Sequence, residues 1–376
     1  VTGDLLLMTE FILPKSKADD FIGRLIAKWS FFAPVKKDSI VSYQLVTDQK
    51  DVLWNFSNST TSPKGILFPQ TETLFKFSND KISSGGEPKP QEKEAVIFGI
   101  RPCDGQAFSI LDHLFKWDYQ DPYYLEQRER TVLVGFSCHE PASNCFCTSL
   151  SGGPSSKEGL DMLLTDLGDR YYLEVLTDKG KKLLDENREL FALATDSDTK
   201  EKNSLSKEIE SKFKRKVLNC DELQEKMGEV AEHELWKETS SRCLGCGICT
   251  YLCPTCHCFD MQDEVTDGKG RRVRIWDSCM FKEYALHASG ENPMPTRVEK
   301  FKNRLYHKFK YYPDNFKVTA CVGCGRCINK CPANLDLIDI LTNIGKIEKR
   351  IQGPEVQGSK VKKIQNGEPG TQNSER

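Results

Sequence analysis

The stretch CLGCGICTYLCP, residues 243–254, sets four cysteines in the pattern C-x2-C-x2-C-x3-C-P, and CVGCGRCINKCP, residues 321–332, repeats it. So short a spacing lets one tight loop offer three thiolates to a single inorganic core. Gly245, Gly247, Gly323 and Gly325 let the backbone turn and bring N–H groups toward sulfur. Pro254 and Pro332 suit the first position of a helix, so each fourth cysteine is expected to open one. Structural zinc is the competing reading. Its usual pattern is two separated C-x2-C pairs, whereas a duplicated three-plus-one run before proline points to [4Fe–4S] clusters.

This spacing resembles the two-cluster module of bacterial ferredoxins, in which the fourth cysteine of each run serves the other cluster. The resemblance implies one cluster on Cys243, Cys246, Cys249 and Cys331, and a second on Cys321, Cys324, Cys327 and Cys253. A mainly α ferredoxin-like 2[4Fe–4S] dicluster domain is therefore expected over residues 233–350, with residues 254–320 as an insertion in place of a short linker. The insertion carries Cys256, His257, Cys258 and a WDSC run ending at Cys279.

Upstream, the apolar run AVIFGI (95–100) leads through RPCD to a helical stretch from Gly105 to Phe115 and then to a second apolar run, TVLVGF (131–136). Continuous rather than alternating apolar runs suggest parallel strands buried on both faces, joined by a crossover helix. The reading for residues 1–178 is an α/β domain with a partly parallel sheet, closed by a hairpin of DMLLTD and RYYLEVLT. Cys103 and Cys138 fall just past the ends of the two runs, where such sheets hold their ligands, and Cys145 and Cys147 follow in the next loop. These four thiols are expected to converge as a third [4Fe–4S] site; buried structural thiols are the alternative.

A polar loop is expected over 78–92, a charged helical connector over 179–232, and a disordered tail over 351–376. The basic stretch from Arg297 to Lys317, with aromatic residues interleaved, is read as a helix covering the clusters rather than as a nucleic-acid surface. Of the remaining cysteines, Cys220 stands alone. Cys256, Cys258 and Cys279 are open between metal ligands and structural thiols, because three thiols leave a cubane one ligand short. His287 and His307 are read as ordinary core or surface histidines.

Composition agrees with this chemistry. The chain has 376 residues and 16 cysteines, with 53 basic against 55 acidic residues for a net charge of −2. Near neutrality gives no field for nucleic acid or an anionic membrane. No run approaches the roughly 18 apolar residues of a spanning helix, and the opening segment lacks the features of a secretory signal. Many thiols without an export signal argue for metal binding in a reducing, cytoplasmic setting rather than for disulfides.

The resemblance becomes more specific over longer strings. CLGCGICTYLCPTCHCFDMQDEV (243–265), RIWDSCMFKEYALHASGENPMPTRVEKFKNRLYHKF (274–309) and CVGCGRCINKCPANLDL (321–337) are similar to the β subunit of cytoplasmic sulfhydrogenases and to the corresponding iron–sulfur subunit of anaerobic sulfite reductase. FGIRPCDGQAFSILD (98–112), DPYYLEQRE (121–129) and VGFSCHEPASNCFCTSLSGGP (134–154) extend the likeness upstream. What it implies is an electron-transfer subunit between a flavin- and NAD(P)H-binding partner and a terminal subunit of hydrogenase, sulfite-reductase or heterodisulfide-reductase type. No G-x-G-x-x-G fingerprint follows a strand, so flavin and nicotinamide sites are expected on the partner. The competing expectation is a subunit that itself reduces sulfur, polysulfide or a disulfide at Cys256, Cys258 and Cys279.

Overall fold

The computed structural model describes residues 10–78, 81–84 and 94–347. Twelve strands are present among them: β1 Glu10–Pro14, β2 Ser30–Lys37, β3 Ile40–Leu45, β4 Thr71–Ser78, β5 Lys81–Ser84, β6 Ala95–Ile100, β7 Thr131–Phe136, β8 Met162–Asp166, β9 Arg170–Val175, β10 Ala192–Leu193, β11 Phe259–Thr266 and β12 Lys269–Trp276. Of the loop expected over 78–92, residues 81–84 are the strand β5, and the rest past Ser78 is outside the described residues, as is the tail over 351–376.

The two apolar runs are β6 and β7, paired in parallel at the centre of an eight-stranded sheet of order β10-β1-β9-β8-β7-β6-β2-β3. The parallel block also takes in β2 and β8, and antiparallel strands complete both sides. Every residue of β6 and β7 is buried. Val96, Phe98, Val132 and Val134 face one core, with the helix Ala18–Lys28 against it, while Ile97, Ile100 and Leu133 face another beneath the helix Pro102–Phe115. Apolar side chains on both faces are the reason these strands read as unbroken runs.

The charged segment after residue 178 does more than connect. Its helix Asp178–Asp185 sends Leu183 and Leu184 into the first core, and β10 adds a strand to β1. The helix Asp196–Ser211 lays Lys202 against Glu174 of β9 at 3.0 Å. Its apolar contacts are few and widely spaced, which hides them in a sequence dominated by charge.

The insertion also departs from a simple linker. β11 and β12 form a hairpin, and β12 pairs with β4, so a four-stranded sheet of order β11-β12-β4-β5 joins the cysteine-rich half to the upstream half. Buried Arg274 of β12 fastens this joint by ion pairs to Glu72 of β4 and to Asp121, which caps the helix Pro122–Glu129. Removing one member of a buried pair costs roughly 3–5 kcal/mol. Arg274→Met is accordingly expected to lower the urea midpoint by that equivalent, and a loss below about 1 kcal/mol, the range of a surface pair, would contradict the assignment.

Candidate metal centres

Each cysteine loop is shaped by glycine. Gly245 and Gly247 have φ of 68° and 76°, Gly323 and Gly325 of 63° and 73°. The left-handed turns at Gly247 and Gly325 start the short helices Ile248–Tyr251 and Arg326–Asn329, which carry Cys249 and Cys327. Backbone N–H groups do reach sulfur: Gly245 N donates to Cys243 Sγ at 3.4 Å and Leu335 N to Cys331 Sγ at 3.3 Å. The expectation that each fourth cysteine opens a helix is corrected. Pro254 and Pro332 lie in turns, and the helix after the second run begins only at Leu337, where the Asp336 carboxylate accepts from the N–H groups of Ile338 and Asp339.

Cys243, Cys246, Cys249 and Cys331 line one cavity of about 60 Å³, walled by Phe301, Leu337 and other apolar side chains, with Cys327 also at its edge. Cys253 stands instead among Cys321, Cys324 and Cys327. Cys331 thus lies with the thiols of the first run, and Cys253 with those of the second. Burial raises the Cys243 thiol and pushes Cys321 up to about 12. Isolated, such thiols stay protonated; a coordinating metal core is what turns them into thiolates.

The cations around them are the sharper observation. Lys308 is 3 % exposed and donates to Cys253 Sγ at 3.2 Å, Thr255 Oγ1 at 3.0 Å and the Ala320 carbonyl at 2.8 Å. Arg304, one turn earlier, is 7 % exposed and donates to the Cys249 carbonyl at 2.8 Å and Cys256 Sγ at 3.5 Å. The groups that favour its charge are Cys249, Cys256, Cys327 and Cys253. Lys64, from the upstream half, reaches the Cys256 carbonyl at 2.8 Å across the ring of Trp276. A π-helical turn, His307–Tyr311, follows the helix Arg297–Tyr306 and turns Lys308 inward beside Arg304. Buried cations are tolerated when an opposite charge meets them, and here that charge has to come from the sulfur atoms.

At the carboxyl ends of β6 and β7 the third group assembles. Arg101, fully buried, donates to the carbonyls of Phe136 (3.1 Å), Ser137 (2.8 Å) and Phe56, tying the two strand ends together. Cys103 thereby faces Cys138, and Cys147 faces Cys138 and Cys145. Burial pushes Cys145 up to about 12 and raises the other three thiols. The second cysteine loop is seated directly on this group: Phe146 N donates to the Gly323 carbonyl at 2.8 Å, and Arg326 forms a buried ion pair with Asp104 at 2.6 Å. Arg326 occupies the place held by Ile248 in the first loop.

Cys256, Cys258 and Cys279 line a separate cavity of about 360 Å³ with His257, His307 and Tyr284. Cys279 donates to Cys258, holding that thiol at about 6, and is itself pushed up in turn. Burial takes His257 down to about 3 and His307 to about 4, so both rings are neutral at pH 7. Among the described residues, no three His, Cys, Asp or Glu side chains converge as ligands of a single ion.

Sequence reasoning placed a basic helix over the cysteines but did not single out Arg304 and Lys308. Their i, i+4 spacing on one helical face was the available signal. Arg326 was also missed, although aligning the two loops shows a charge where its twin has an apolar residue. Nothing local marked Lys64, which arrives from a helix of four residues, Lys64–Leu67.

The family model of the 4Fe-4S dicluster domain matches residues 242–335. Sulfhydrogenase 2 subunit beta of Pyrococcus furiosus is 31% identical over 328 residues, covering 86% of this chain and 95% of that protein.

The seating of one loop on the other leaves no room for a side chain at Gly323, where a Cβ would lie 2.5 Å from Cys147 N. Gly323→Ala combines that clash with a left-handed backbone that alone costs roughly 1–2 kcal/mol. The expected result is a denaturation midpoint lowered by more than that equivalent, with protease cleavage appearing between residues 142 and 154; an unchanged midpoint would contradict the seating.

Proposed function

Because the chain belongs to the family of the sulfhydrogenase β subunit, we propose that it is an iron–sulfur electron-transfer subunit of a hydrogenase-type complex, with cluster ligands as grouped above. The first set is Cys243, Cys246, Cys249 and Cys331, the second Cys321, Cys324, Cys327 and Cys253, in a ferredoxin-like, mainly α module within residues 233–350. The third is Cys103, Cys138, Cys145 and Cys147, at the edge of the α/β part within residues 1–178. Residues 179–232 bind the two parts together.

The observation that carries this reading is the pair of buried cations, Arg304 and Lys308, whose anionic neighbours are cysteines. Thiolate-bound clusters supply the negative charge and accept or release one electron each. The protein's part is to hold them in contact. The helix Arg326–Asn329 begins within the second set, and its Arg326 reaches Asp104 beside Cys103 in the third. Cys327 meanwhile lies at the edge of the first cavity. The second set is thus central, and electrons would cross it in passing between the outer two.

On this reading a partner subunit supplies flavin and the nicotinamide site, and another supplies a terminal centre of hydrogenase, sulfite-reductase or heterodisulfide-reductase type, with hydrogenase favoured by the relative's name. Among the described residues no helix is long and apolar enough to cross a membrane. A reducing cytoplasm suits so many free thiols.

Anaerobically prepared chain is expected to be brown and to hold about twelve irons with matching sulfide, four per cubane. Changing Cys103 and Cys145 together to Ser should remove about a third of the iron and leave about eight atoms; unchanged iron in that variant would refute the upstream ligands. Lys308→Met withdraws a positive charge from beside Cys253, which disfavours an added electron. Its redox titration, followed by electron paramagnetic resonance, should show one cluster moved to a more negative potential, and a move in the positive direction would contradict the placement.

A further inference from the structure

The two cysteine loops are built alike, but the upstream half covers only the second. There Val322 and Arg326 are 2 % and 3 % exposed, beneath the segment 144–147. Their counterparts in the first loop, Leu244 and Ile248, are 66 % and 36 % exposed, and Cys246 is exposed where its counterpart Cys324 is buried. The glycines repeat the contrast. A Cβ at Gly323 would lie 2.5 Å from Cys147 N, and one at Gly325 2.5 Å from the Asn144 carbonyl oxygen. At Gly245 the nearest atom is the Met280 carbonyl oxygen, at 3.5 Å. Gly247 is closed off by the Phe281 ring, so the open stretch runs from Leu244 to Cys246 with Ile248 beside it.

A single exposed leucine signifies little. Leu244, Ile248 and exposed Pro332, however, all line the cavity of the first thiol set, so they are what separates that set from solvent. Around them stand three exposed cations: Arg242 and Lys330, each next to a cysteine of the set, and Arg297, which donates to the Cys243 carbonyl at 2.9 Å. Of the acids nearest them in sequence, Glu299 accepts from Thr296 N at 3.0 Å and Asp336 pairs with Arg215, which leaves Glu238 against three positive charges. An apolar centre with a charged rim is the make-up of a protein–protein contact.

We propose that the face formed by Leu244, Cys246, Ile248 and Pro332 is the docking surface for a protein partner that presents acidic residues around its own redox centre. The surface does for that partner what the second loop does for the upstream half: with no side chain at Gly245, another backbone can come close to the thiols. Rim cations meeting acidic groups would set the orientation and speed the encounter. One electron then passes between the two centres, one being oxidised as the other is reduced, and no bond need change. A second copy of this chain fits poorly, since a two-fold contact would bring the same cations against themselves. The chain's own end fits poorly as well. Leu337 and Ile340 line the cavity, but Gly345 of the same helix already lies against the Leu218 carbonyl, and residues 348–376 hold six Lys or Arg against four Glu. The inference rests on the electron-transfer reading for the partner's redox centre; the surface itself is argued from exposure and charge.

The test uses the full chain, tagged and isolated anaerobically from its own cells with the subunits bound to it, and the same chain freed of them. Hydrogen exchange of residues 244–248 should be slower by about tenfold or more in the complex, and the bound protein should hold flavin or iron. Changing Arg242 and Lys330 together to Glu should lower the amount of partner retained by about tenfold with iron per chain unchanged, while Arg242→Lys with Lys330→Arg should retain it. Equal exchange in both samples, full retention by the Glu variant, or a bound protein without a redox centre would overturn the proposal. Slow exchange already present in the freed chain would also overturn it, assigning the face to the tail if removal of 348–376 abolishes the protection, or to a second copy if light scattering shows a dimer. An iron-free chain with the loop still protected would support the surface and overturn the cluster reading alone.

Discussion

Two positive charges inside the protein, on Arg304 and Lys308, meet sulfur. Moving a lone cation from water into a protein interior is among the most unfavourable changes available to a side chain. These two are held there by contacts with Cys253, Cys256 and neighbouring carbonyls. The arrangement is stable only if the cysteine sulfurs carry net negative charge: Cys256 and the two cations hold the Cys253 thiol well below its ordinary range against its burial, and cluster-bound thiolates would carry further charge of the same sign. The π-helical turn at His307–Tyr311 has a purpose in that light, since it lets successive turns of one helix aim both cations at the same place.

The upstream half is arranged around the same centre. Parallel β6 and β7 end where Arg101 gathers their carbonyls, and the thiols just past those ends face the second cysteine loop. Backbone meets backbone at Gly323 and Gly325, with no side chain between, and the Arg326–Asp104 pair closes the contact. The hairpin paired to β4 and the ion pairs of Arg274 hold the two halves together from the other side. Rigid seating of this kind suits electron transfer, in which little needs to move and the separation between centres matters.

What could be read in advance followed from short-range rules. The cysteine spacing, the glycines that take positive φ and the doubly buried strands β6 and β7 are local patterns with a single physical cause each. The placement of Cys103 and Cys138 just past the ends of β6 and β7 was legible because parallel strands place their ends on one edge. The rest depended on partners distant in the chain. Pairing of β12 with β4 joins residues about 200 apart in a register that neither strand announces. The core contacts of the segment after residue 178 are outnumbered by its charges, and the turns at Pro254 and Pro332 reflect where the next packed element begins rather than what proline allows.

Locating iron in the molecule would test the central claim directly. Anomalous diffraction from anaerobically grown crystals, recorded on both sides of the iron absorption edge, should show three compact iron peaks. One should lie among Cys243, Cys246, Cys249 and Cys331, one beside Lys308, and one at the ends of β6 and β7, with none in the cavity of Cys258 and Cys279. Maps without iron at the first two positions, or with a zinc edge in its place, would contradict the account.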